Sequence, residues 1–383
     1  MLSAVAFGLA ASGWPVAVIT SRLVYQGSGA SLPPRETSGS VKILRTWSSG
    51  FGRHHLAGRA VDYATFYLSA TLAALRTARR GDILIAKTDP PMLSTLIGPV
   101  AWWRGAILVN WLQDVFPEVA QVLGVSLGPA SRGVFRTLRA LRDRSLKQAA
   151  VNVVLGERMS AYLATLGVSE TRIRVIGNFA DGDKVKPISG SNSLRTQWRL
   201  GDKFVVGYSG NLGRAHEYQT MLAAMQLTGP DIAWVFVGGG AQFGKLRREV
   251  EARGLTNVHF KPYQPADRLA ESLAAADVHI VSLLPELEGL IVPSKGRPTI
   301  FIGDDDGEIA HLIRCKACGV TVEVGDGEGL ARAIAALAAD PEGCRSMGTR
   351  AYAAFIAEFD KSIAIEHWQR LLREVGRLAG AAW

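Results

Sequence analysis

The sequence predicts an α/β chain of two units, each a largely parallel sheet wound with helices, on three observations. At 383 residues, 48% of them hydrophobic and 41 of them glycine, the chain is too long for one ordinary core and rich in the residue that tight βα turns use. Short apolar runs alternate with stretches of helical periodicity along its length, the pattern of repeated strand, turn and helix. Residues 204–216, Phe-Val-Val-Gly-Tyr-Ser-Gly-Asn-Leu-Gly-Arg-Ala-His, leave an apolar strand through two glycines and an arginine, as phosphate-binding turns of nucleotide-binding α/β proteins do.

Residues 1–21 carry no charge, but they lack a basic start, and Gly13, Trp14 and Pro15 interrupt the apolar run. A helix over 2–11 and a strand over 16–21 fit better than a leader or a membrane span. Strands follow at 41–44, 83–86, 107–112, 151–155 and 173–176, with helices at 62–79, 93–102, 132–147 and 157–166. The Pro, Gly, Ser and Asn residues of 187–192 make the best linker. Beyond it, strands at 204–206, 233–238, 258–261 and 278–283 alternate with helices at 218–227, before Gly254 and after Pro265. Residues 363–378 form one long amphipathic helix with Trp368 and Leu372 on its apolar side. The expected units are 1–186, 193–355 and a terminal helical segment 356–383.

The net charge of +9 is uneven: residues 1–180 hold twenty basic and nine acidic side chains, and residues 181–383 hold twenty-three and twenty-five. Much of the excess lies in 132–147, where Arg132, Arg136, Arg139 and Arg142 flank an apolar stripe of Val134, Phe135, Leu138, Leu141 and Leu146. Such a helix can lie on anionic lipid; a solvated face over a core is the competing account. Nucleic acid is disfavoured as a partner, because no RRM, KH or zinc-finger signature appears and aromatics do not interleave with the basic residues. Three cysteines are too few for a disulfide framework, the Cys315/Cys318 pair reads as structural, and seven scattered histidines give no metal-ligand spacing.

In the 204–216 run, Gly210 and Gly213 allow positive φ and close backbone approach, while the following helix N-terminus and the Arg214 guanidinium aim at one point. No Gly-Lys-Ser/Thr follows, which removes the P-loop reading. Gly238, Gly239 and Gly240 end the next strand. Further segments stand in a fixed order: Lys87-Thr-Asp-Pro-Pro91, Asn110-Trp-Leu-Gln-Asp-Val-Phe-Pro-Glu118, the 208–216 turn, and Glu286-Leu-Glu-Gly-Leu-Ile-Val-Pro-Ser-Lys295.

Taken together, these segments resemble the family 4 glycosyltransferases, in the bacterial surface-polysaccharide branch. The resemblance implies the GT-B fold: two Rossmann-like domains with a cleft between them and a C-terminal crossover helix. It implies retaining transfer of a sugar from a nucleotide donor, UDP above all, to a polyprenyl-diphosphate-linked saccharide. The setting would be cytoplasmic, peripheral on the inner face of the plasma membrane, with no metal and no cofactor. On that reading Gly210, Asn211, Gly213, Arg214, Ser294 and Lys295 hold the donor phosphates, and Glu286 and Glu288 grip sugar or ribose hydroxyls. Lys261 and Tyr263 flank the nucleobase, with an ordinary strand-end loop as the competing account, and Asp114 orients the acceptor or serves as base, with a helix N-cap as its competing role. Two departures stand out: the first strand with its glycine turn is missing ahead of residue 2, and Lys295 abuts Gly296 where the family places a two-turn helix. They imply a second account, an impaired relative acting in binding or assembly. A third, a sugar-nucleotide epimerase, lacks its Tyr-x-x-x-Lys pair.

Overall fold

A computed structural model describes residues 1–23, 32–51, 56–124, 131–186, 188, 192–284 and 298–378. The chain forms two compact units, Met1–Gly177 with Ser362–Trp383, and Asn178–Lys361.

The first unit runs α1 (Leu2–Ala11), β1 (Val16–Ser21), β2 (Arg35–Ser38), β3 (Val41–Thr46), α2 (Leu56–Thr77), β4 (Ile83–Lys87), α3 (Leu93–Arg104), β5 (Ile107–Trp111), α4 (Glu118–Val122), α5 (Ser131–Gln148), β6 (Val151–Val154), α6 (Glu157–Thr165) and β7 (Ile173–Val175). The strands make two sheets rather than one, in the orders β1-β3-β2 and β4-β5-β6-β7. All pairs are parallel except β2 with β3. Among the described residues, β1 pairs only with β3 and β4 only with β5. Both nevertheless line one core: Ile19 of β1, Leu84 and Ala86 of β4, Ala74 of α2 and Ile97, Val100 and Ala101 of α3 share a cluster.

The second unit runs α7 (Ser193–Gln197), β8 (Phe204–Asn211), α8 (Gln219–Leu227), β9 (Ile232–Gly239), α9 (Phe243–Ala252), β10 (Val258–Lys261), α10 (Leu269–Ala274), β11 (Val278–Ser282), β12 (Thr299–Ile302), α11 (Glu308–Lys316), β13 (Gly319–Val322), α12 (Gly327–Ala339) and α13 (Pro341–Ala354). Its six strands form one parallel sheet ordered β10-β9-β8-β11-β12-β13. Counted within the unit this is 3-2-1-4-5-6, the doubly wound order whose switch point lies between β8 and β11. The strands are continuous apolar runs because helices cover both faces. Trp234, Phe236, Ile280 and Ile300 are fully buried on one side, with Val205, Val235 and Leu200 on the other. The connection from β11 to β12, where the sequence shows no room for a helix, lies outside the described residues.

The boundary falls at Gly177/Asn178, ahead of the expected linker, whose residues 187 and 189–191 lie outside the described set. Residues 178–186 belong to the second unit because they are tied to its far end: Ala180 bridges Asp360, the Gly182 N–H donates to the Asp360 carboxylate at 2.9 Å, and Lys361 Nζ meets Asp181 at 3.0 Å. The terminal helix α14 (Lys361–Leu378) is longer than predicted and, from Ser362 on, is part of the first unit. Trp368, fully buried, meets Trp111 edge to face with centroids 4.9 Å apart. Gly8 of α1 lies so close to Ile365 that a side chain there would collide.

The basic helix needs a correction. Arg142 does not face outward: it is 7% exposed and holds both oxygens of Glu118 at 2.9 Å, the Phe116 carbonyl at 3.1 Å and Asp143 at 2.6 Å. Arg139 also reaches Glu118, at 3.3 Å, and Gln121. Only Arg132 and Arg136 of the four arginines assigned to lipid are exposed. Arg142 is buried because it lies on the stripe of Phe135 and Leu146, two turns and one turn away, that the helix turns to its core.

Candidate functional site

Within the second unit, β8 and β9 run in register to their ends, Gly210 opposite Gly238 and Asn211 opposite Gly239. A Cβ on Gly238 would strike the Gly210 backbone, and Gly238 takes φ +140°, so glycine is what lets the two strand ends close up. Gly210 takes φ +133° with open space where its Cβ would be; Gly213, by contrast, does not adopt positive φ. The turn is anchored on both flanks. Leu212 N–H donates to Gly239 O at 2.7 Å and Gln242 N–H to Leu212 O at 2.9 Å on the β9 side. On the β11 side, Leu284 N–H donates to Ala215 O at 3.0 Å and His216 Nδ1 lies 2.7 Å from Ser282 O. The turn therefore spans the topological switch point, where doubly wound sheets bind ligands.

Arg214 projects from the middle of this turn and is exposed. The amides of Arg214 and Ala215 have no acceptor among the described residues. The helix N-terminus is a different matter. Glu217, 8% exposed, accepts from the N–H groups of Gln219 and Thr220 at the start of α8 and places its own negative charge there. That carboxylate answers the helix dipole, so an anion at this site would meet the turn amides and Arg214 instead of the α8 N-terminus expected from the sequence.

Tyr263 is half exposed beside the same turn, its ring edge 3.3 Å from where a Cβ on Gly239 would stand. Lys261 points elsewhere: its ammonium lies 5.9 Å from the Trp198 ring centroid. Glu286, Glu288, Ser294 and Lys295 lie outside the described residues. His216 closes the quoted run and Glu217 follows it, but neither carried a signal marking it out, since neither a histidine after a turn nor a glutamate ahead of a helix is a usual anchor.

In the first unit, Asp114 follows β5. One of its carboxylate oxygens is buried without a hydrogen-bond partner among the described residues. Burial pushes its pKa up to about 6; Thr88 hydrogen bonding opposes this, Asp89 adds to it, and Lys87 and Arg59 oppose it. Asp114 caps no helix, for the N-cap of α4 is Pro117. The Thr88 hydroxyl also accepts the Gln113 N–H at 2.8 Å, so the β4 and β5 ends fix the turn that carries Asp114.

Comparison with known proteins decides the family. Residues 2–178 match the glycosyl transferase 4-like domain and residues 191–354 match glycosyl transferases group 1, which together take in most of the chain. The chain belongs to the family 4 glycosyltransferases. Its fold is GT-B. It is 27% identical over 288 residues to the probable glycosyltransferase WbjE of Pseudomonas aeruginosa, covering 72% of this chain and 70% of that one. It is also 27% identical over 205 residues to the putative colanic acid biosynthesis glycosyl transferase WcaI of Escherichia coli, covering 52% and 50%. Anabaena HepE, solved with UDP-glucose, superposes with a TM-score of 0.66 at 18% identity over 88% of this chain and 87% of that one. This family 4 member is a glycosyltransferase of polysaccharide biosynthesis, an enzyme.

Proposed function

We propose that the protein moves a sugar, with retention of configuration, from a UDP-sugar to a polyprenyl-diphosphate-linked saccharide at the inner face of the plasma membrane. The observation that carries the donor half is the Gly210–Arg214 turn, built across the switch point with backbone amides and a cation directed outward. Similarity to a protein solved with UDP-glucose supports UDP as the nucleotide. In the reaction the acceptor hydroxyl bonds to the anomeric carbon as the bond from that carbon to the diphosphate oxygen breaks. The leaving UDP gains charge, which Arg214 and the turn amides stabilise. The hydroxyl proton leaves on a phosphate oxygen, and the Asp114 carboxylate orients the hydroxyl as hydrogen-bond acceptor.

This role requires Asp114 to be ionised, so kcat should rise with pH through about 6, and the Asp114→Asn enzyme should lose that limb along with about 10²-fold or more of kcat. The linkage sign for stability is opposite: a raised carboxyl pKa contributes stability at low pH that is lost as pH rises through 6. Asp114→Asn should therefore gain stability relative to the parent between pH 4 and 7, read by thermal unfolding. The function itself is tested by incubating the protein with UDP-sugars and a lipid-linked saccharide in the presence of a chelator. Transfer with the donor's anomeric configuration, followed by NMR, is the expected result. Inversion of configuration, or transfer that stops with the chelator, contradicts it.

The edges of β1 and β4 left unpaired among the described residues favour a second reading, a binding or assembly protein with little turnover. It predicts UDP binding without transfer.

A further inference from the structure

We propose that the outward face of the α2–α3 helix pair seats the protein on an anionic lipid bilayer, with Trp102 and Trp103 in the headgroup region. The side chains there are unusually bare for their size: Trp102 is 84% exposed, Trp103 66%, Leu68 65% and Trp47 62%. Leu72 and Leu96, each 41% exposed, extend the patch. The two helices pack side by side. Arg104 Nε at the end of α3 donates to the Ala78 carbonyl just past α2 at 2.7 Å, the Tyr67 hydroxyl of α2 meets the Pro91 carbonyl ahead of α3, and Ser69 Oγ donates to the Trp47 carbonyl at 2.6 Å. Ala74 of α2 and Ile97, Val100 and Ala101 of α3 are buried in one shared core cluster. Their opposite stripes, Leu68 and Leu72 on one helix and Leu96, Trp102 and Trp103 on the other, consequently face the same way.

Charge selects the occupant. Arg76, Arg79 and Arg80 are exposed where α2 ends, and the Arg80 stem lies against Gly105, two residues from Trp103. Asp82, just beyond these arginines, accepts the Arg79 backbone N–H at 2.8 Å. A tryptophan-rich apolar surface rimmed by arginines repels a second copy of itself and matches the boundary between anionic headgroups and acyl chains, where an indole buries its ring and keeps its N–H wet. No described helix is long and apolar enough to cross a membrane, so the face would lie on the bilayer. This replaces the α5 arginines as the lipid contact, since Arg139 and Arg142 are engaged with Glu118. The purpose of such a face rests on the proposed lipid-linked acceptor, although its binding can be measured without transfer.

The test is co-sedimentation with phosphatidylcholine vesicles, with and without phosphatidylglycerol, alongside UDP titration and light scattering. The parent should bind the anionic vesicles preferentially. Trp102→Ser/Trp103→Ser should weaken that binding by at least about tenfold, and Leu68→Ser should weaken it independently. UDP affinity should stay unchanged in both, which separates loss of docking from failure of the donor reading. Vesicle binding by both variants equal to the parent's, equal parental binding to neutral and anionic vesicles, or a parental dimer that the substitutions dissolve would each overturn the proposal.

Discussion

The Arg142→Ala protein should be about 3 kcal/mol less stable than the parent, because the substitution leaves Glu118, at the start of α4, without its two shortest charge-assisted bonds and with only the longer contact to Arg139. Arg142 and Glu118 are 8% and 14% exposed along their side chains, and they meet through two bonds of 2.9 Å. Burial alone would raise the Glu118 pKa; hydrogen bonding and charge from Arg142 outweigh it and leave the pKa below the ordinary glutamate value. A lowered carboxyl pKa contributes stability above the unfolded value of 4.5 that is lost as pH falls. The difference between parent and variant should accordingly be largest near neutrality and shrink in acid, as denaturant titrations at a series of pH values would show. The Arg136→Ala protein, which gives up an exposed residue of the same helix, should stay within about 0.5 kcal/mol of the parent.

A second large effect is expected where the ends of β8 and β9 close up. Gly238 takes φ +140°, and a Cβ there would strike the Gly210 carbonyl. Gly238→Ala must therefore both strain its own backbone and push the strand ends apart, which should cost on the order of 3 kcal/mol or more and lower Tm by roughly 6–12 °C. Gly201→Ala, at φ +57° with open space where the Cβ would stand, meets the backbone strain alone and should cost about 1–2 kcal/mol. Thermal unfolding of the two variants checks this, and a Gly238→Ala protein that melts with the parent would show that the strand ends need no glycine.

What could be read without coordinates follows from how each element is stabilised. The second unit's strands were legible because a parallel sheet covered on both faces demands continuous apolar runs, and β8, β9 and β11 supply them. β2, Arg-Glu-Thr-Ser, was not: its side chains are largely exposed, and backbone bonds to β3 hold it, leaving no pattern to find. The turn that follows β8 was legible from its glycines, whereas the occupation of the α8 N-terminus by Glu217 depends on a single side-chain conformation. Arg142 illustrates a signal present but outweighed. Its spacing from Phe135 and Leu146 placed it on the buried stripe, while the basic composition of the helix suggested lipid. The compact units divide ahead of the expected linker because Asp360 and Lys361, distant in sequence, bind residues 181 and 182.

The central claim is that the Gly210–Arg214 turn holds the donor diphosphate, and isothermal titration of UDP into the parent and Arg214→Ala proteins tests it most directly. Arg214 is exposed and lies outside the folding core, so the variant should unfold like the parent. Loss of a charge-assisted contact to the diphosphate should weaken UDP binding by about 1.5–3 kcal/mol, roughly 10- to 150-fold in Kd, with uridine binding changed far less. An Arg214→Ala protein that binds UDP as the parent does would contradict the assignment.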